Sequence, residues 1–96
     1  MHAVFIEVNA TEDNVDAARE FLPNTAVPAA RDGGAVAGYW LAPHEGRGVS
    51  VVVFDTEETA RKTAEQFRVG EPPMPNAPAG VTVRTVEVRE VLAALT

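Results

Sequence analysis

The sequence predicts an α+β fold in which one four-stranded antiparallel sheet, built in the order βαββαβ, carries two helices on one face. Three observations predict it. Strands are read at the start of the chain, where residues alternate in the period of two that strands require, in the β-prone runs "AVAGYWLA" and "GVSVVVFD", and after Gly80. Two stretches with apolar residues at helical spacing separate the first strand from the second and the third from the fourth. The 96 residues suffice for a single domain, 1–96, with one modest core.

From Ala3 to Asn9, Val4, Ile6 and Val8 share one side of a strand and Phe5, Glu7 and Asn9 the other. Thr11 offers a helix N-cap, Glu12 and Asp13 suit the positive end of the helix dipole, and Val15, Ala18, Phe21 and Leu22 follow at helical spacing. This gives a helix over about 12–22, which Pro23 ends or bends. "NTAVPAARDGG" then reverses the chain, with room for a further helical turn. The two β-prone runs after it are joined by "PHEGR" and should pair as a hairpin. Asp55 or Thr56 caps a second helix ending near Arg68 or Gly70, and the proline-rich "GEPPMPNAPAG" is a loop. In the last strand Val81 and Val83 share one parity and Val86 and Val88 the other. A β-bulge between them, or a strand serving two packing surfaces, would explain the change.

The order βαββαβ is the ferredoxin-like arrangement, whose sheet runs 4-1-3-2 with one face bare. Yet Val49, Val51 and Val53 on one parity of the third strand and Val52 and Phe54 on the other make that strand apolar on both sides. Such a strand needs a second layer, and the chain has no residues left to supply one. A second copy is therefore expected to cover the bare face, making a homodimer.

Composition narrows the chemistry. With no cysteine there is no disulfide, thiolate nucleophile, iron-sulfur cluster or cysteine zinc site. The formal net charge of −6, without a cluster of basic residues, argues against a nucleic-acid partner. The longest apolar run, "VSVVVF", falls far short of the roughly 20 residues that span a bilayer, and the first residues lack the pattern of a secretory signal. No membrane association and a cytoplasmic location are the expectation. Ser50 is the only serine and lies in a strand without a nucleophile-elbow pattern, and His2 and His44 are too isolated for a metal site. No metal or other cofactor is implied.

The segment "VPAARDGGAVAGYWLAPHEGRGVSVVVFDTEETARKTAEQF" and its flanks, from "FIEVN" to "VEVREVL", resemble the dimeric α+β barrel superfamily. Within it, the likeness is to domains of the antibiotic-biosynthesis-monooxygenase type (ABM-like). It rests on a proline and arginine after the first helix, a glycine-rich turn, the hairpin, and an aromatic-acidic-hydroxyl triplet before the second helix, here "FDT". The resemblance implies a small homodimer binding a hydrophobic or aromatic metabolite, with cofactor-independent, monooxygenase-like chemistry as one outcome. A non-catalytic dimeric binding or interaction module is the other. The triplet's family tryptophan is replaced by Phe54, and no histidine follows Phe54, which disfavours the family's haem degradation.

The family's first-strand asparagine corresponds to Asn9, or Glu7 takes its place. Either could orient a ligand hydroxyl or take its proton. The bland alternative is that Asn9 ends the strand and Glu7 pairs with a cation across the dimer. His44 is the remaining acid-base candidate, against its reading as a solvated loop residue. Phe5, Trp40 and Phe54 are the candidate ligand-binding residues, against a role in the core or the interface.

Overall fold

The computed structural model describes residues 1–95. Strand β1 (His2–Asn9) leads through a 3₁₀ turn (Glu12–Asn14) into helix α1 (Val15–Phe21), a π-helical turn (Leu22–Ala26) and helix α2 (Val27–Asp32). Strands β2 (Ala35–His44) and β3 (Arg47–Phe54), helix α3 (Glu57–Ala64) and strand β4 (Thr82–Glu90) follow. The sheet is antiparallel throughout, in the order β2-β3-β1-β4.

The first helical arm is longer than the sequence reading, which ended or bent it at Pro23. It stays helical to Asp32, because each junction residue keeps right-handed helical dihedrals. Pro23 and Pro28 each fall at the beginning of a new helical segment, where a missing N–H is tolerated, and the π turn re-registers the hydrogen bonds between them. At the start of the arm, Asn14 Oδ1 accepts from the Thr11 N–H at 3.0 Å.

Gly34 follows the arm with φ +99°, and a Cβ there would lie 3.0 Å from the Thr59 methyl. Gly34→Ala is expected to cost about 1–3 kcal/mol through this strained backbone. Urea denaturation should show it as a lower midpoint at unchanged slope.

The hairpin is tighter than a five-residue "PHEGR" loop. Only Glu45 (φ 52°) and Gly46 (φ 81°) lie outside the strands, and two consecutive positive φ values give the primed turn that matches strand twist. Thr56 Oγ1 caps α3 by accepting from the Thr59 N–H at 3.2 Å. The Glu57–Arg61 pair on the helix surface holds the Glu57 carboxyl below its ordinary range, first through the guanidinium hydrogen bond and then through its charge. This helix ends at Ala64, short of the expected Arg68 or Gly70. Gln66 and Phe67 donate to the Thr63 and Ala64 carbonyls, tightening the last turn and delivering Phe67 to the core.

Pairing of β4 with β1 skips Arg84: Val83 opposes Val8 and Thr85 opposes Glu7. This bulge is the physical cause of the parity change along the strand. Gly70 N–H donates to the Val83 carbonyl and Val83 N–H to that of Glu71, so the proline-rich loop is anchored at the bulge.

Both helical arms cover the sheet face that carries Val4, Ile6, Val52 and Phe54, and Ala60 of α3 completes this buried cluster. Ala30, Trp40, Ala64, Phe67, Val86 and Val88 pack around it. The opposite face carries Phe5, Tyr39, Leu41, Val49, Val51 and Val53, with no element of the chain above them. Tyr39 and Leu41 are exposed there, and the three valines are half-buried. Among the described residues no helix is long and apolar enough to cross a membrane.

Candidate functional site

A cavity of about 210 Å³ lies between the sheet and the helical layer. Its floor is one face of the sheet, where Ile6, Ser50 and Trp40 form a row across β1, β3 and β2. Glycine flanks this row: Gly48 opposes Val8, and Gly38 lies under the indole, whose six-membered ring would meet a Cβ at 3.1 Å. The Trp40 ring covers Gly38 and Val8 covers Gly48, so both side chains lie close against the sheet. Phe21 and Leu22 from the first arm, Phe67 after α3, and Met74 from the proline-rich loop close the other side.

The lining is apolar except for Asn14, Ser50, Thr63 and Gln66, and no charged side chain contributes to it. Such a site suits an uncharged apolar molecule, since an ion entering it would lose hydration without gaining a partner. Ser50, 8% exposed, is the one buried polar residue among those described.

The six residues singled out from sequence are dispersed. Trp40 lines the cavity. Phe54, fully buried, belongs to the core cluster and is not part of the lining. Phe5 is on the bare face of the sheet, opposite Val51 and Glu87.

Glu7 and Asn9 share that bare face. The Glu7 side chain, 17% exposed, lies 3.4 Å from Arg84 Nε and 3.7 Å from Arg47 Nη1, and accepts from Thr85 Oγ1 at 3.4 Å. The cations beside Glu7 thus come from its own chain. Asn9 Nδ2 donates to Thr82 Oγ1 at 3.1 Å, and Asn9 Oδ1 accepts from Arg84 Nη1 at 3.3 Å. Arg84 reaches both because the bulge displaces it, a consequence of the same irregularity that the valine pattern revealed.

His44 is at the hairpin end with its side chain 82% exposed, 3.7 Å from Glu45. On a regular strand Glu45 would point away, but its positive φ swings the carboxylate toward the imidazole. Among the described residues no group of three or more His, Asp or Glu side chains could hold a metal ion.

Sequence reasoning passed over Ser50, Phe21, Phe67 and Met74 as site residues. Ser50 had a signal, being a polar residue on the inward parity of an otherwise apolar strand. The other three depend on how the helical arm and the proline-rich loop fold back, which periodicity does not encode. No family model matches the chain, and neither a curated protein nor a solved structure shows significant similarity to it.

Proposed function

We propose that the protein binds a small neutral hydrophobic or aromatic metabolite in the cavity between its sheet and helices, as a homodimer joined through the bare sheet face. The observation that carries this reading is the uncharged cavity walled by Trp40, Phe21, Phe67 and Met74. A dry apolar cavity of about 150 Å³ takes benzene, so about 210 Å³ admits a substituted or bicyclic ring.

The strand order β2-β3-β1-β4, with both helical arms on one face, supports a ferredoxin-like fold that pairs into a dimeric α+β barrel of the ABM-like kind. Binding without turnover is the reading the site favours. Oxygenase-like chemistry without a cofactor needs a base beside the ligand. Glu7, Asn9 and His44, the acid-base candidates, stand on the far face or at the hairpin end.

The test uses Trp40, the chain's single tryptophan, as reporter, and menadione, a neutral bicyclic quinone, as probe. With no cysteine present, the quinone has no thiol to alkylate. Saturable quenching of Trp40 is expected, and Ala18→Phe, which fills the cavity from α1, should abolish it while leaving the circular dichroism unchanged. Linear, unsaturable quenching equal to that of free N-acetyltryptophanamide would sink the proposal.

A further inference from the structure

We infer that the proline-rich strap over residues 72–80 is the gate of the cavity, swinging at Gly80 to admit the ligand and then closing Met74 over it. The inference rests on the cavity reading above and deepens it by naming the wall that moves. The cavity is partly open to solvent, and a ligand that ends mostly buried has to pass a wall that afterwards closes on it.

Three of the walls are held by the core. Antiparallel ladders lock β1 and β3 on both sides, the fully buried Ala60 pins α3 to the sheet, and the buried Ala26 pins the first arm. The strap supplies Pro73, Met74, Ala77 and Pro78 to the lining and is held by much less. Its backbone hydrogen bonds are local: Ala77 N–H donates to the Met74 carbonyl at 3.1 Å, and Val81 N–H, just past its end, to that of Pro78 at 3.3 Å, the longest backbone bond outside helices and ladders among the described residues. No side-chain hydrogen bond or ion pair among the described residues reaches residues 72–80.

The two ends of the strap differ. At the first, Gly70 N–H donates to the Val83 carbonyl and Val83 N–H to that of Glu71, each at 2.8 Å, so the strap starts from a fixed point on the bulge. At the other, Gly80 holds φ +83° with nothing within 4 Å of where a Cβ would be, so conformation alone calls for glycine there. Four of the nine residues are prolines, whose fixed φ makes the strap swing as a unit and whose missing N–H groups leave few donors to pair. Opening therefore breaks little polar structure and gives up mainly the apolar contact of Met74 and its neighbours. A ligand in the cavity adds to that contact only when the strap is closed, so binding favours closure.

The experiment is stopped-flow quenching of Trp40 by menadione in the wild-type protein, Gly80→Ala and Gly46→Ala. Alanine at Gly80 strains the closed strap equally with the cavity empty or filled. Association and dissociation are therefore expected to quicken by the same factor, about 5- to 30-fold, at unchanged affinity. Gly46→Ala introduces the same strain at φ +81° in the hairpin turn, outside the cavity lining, and should leave both rates as in wild type. Independently of any ligand or variant, hydrogen exchange of the Ala77 amide should proceed by local opening at a rate insensitive to dilute urea, while that of Val83, bonded to Glu71, follows global unfolding.

Unchanged rates in a folded Gly80→Ala, or a loss of affinity carried by dissociation alone, overturn the gate and leave the cavity reading in place. An Ala77 amide that exchanges only with global unfolding does the same. Wild-type protein that does not bind menadione overturns both.

Discussion

Replacing Phe54 by alanine is expected to cost about 3–5 kcal/mol, the largest single-residue loss of stability in this chain. The ring is fully buried at the centre of the cluster formed with Val4, Ile6, Val52 and Ala60, so truncation leaves a void that packed neighbours close only in part. A domain of this size has about 5–15 kcal/mol of net stability, so such a loss would show plainly in urea denaturation. Phe54→Leu, closer in volume, should cost less than about 1.5 kcal/mol.

The pair of variants also separates two roles for this residue. In the oxygenases and haem degraders of the proposed superfamily the triplet's tryptophan is functional; here Phe54 holds that position and is not part of the cavity wall. Phe54→Leu is therefore expected to bind menadione with wild-type affinity. A tenfold loss of affinity in a variant that remains folded would return Phe54 to the site.

The strands were legible because side-chain parity is a local property. The shared parity of Val4 with Ile6 and of Val52 with Phe54, and the change of parity around Arg84, could be read directly, and both have structural counterparts in the core cluster and the bulge. The course of the first helical arm was not legible. Its prolines are strong local breakers, yet a π turn carries the helix past Pro23 to Pro28, a rearrangement decided by packing rather than by propensity.

The site was harder still to read, because a cavity is the space that several elements leave between them. Trp40 was identified by residue type. Parity also put Glu7 and Asn9 on one face, but the identity of the ligand-facing side depends on where the helices pack. Two polar residues on a strand face suggested catalysis; the structure surrounds them with Arg47, Arg84, Thr82 and Thr85, as members of a surface network.

That network bears on the second large effect, expected from Val51→Lys on the bare face. Val51 is opposite Phe5 on one side and Tyr39 on the other, at the middle of the apolar half of this surface. The remaining half carries Arg84, Glu87 and Arg89 on β4 beside Glu7, so both signs of charge are present and a two-fold partner can set them against each other. The proposed homodimer therefore predicts that the 10.2 kDa chain sediments at twice its mass, and that a lysine buried unpaired at position 51 raises the dimer dissociation constant by at least about 100-fold. The separated chain should keep its far-ultraviolet circular dichroism, because the helical layer and the Phe54 cluster lie on the other side of the sheet. Wild-type protein that sediments as a monomer at 100 μM would remove the dimer from the proposal. A Val51→Lys protein that remains dimeric would move the interface to another surface. The cavity, which residues of a single chain line, would survive either result, so ligand binding and self-association can be tested independently.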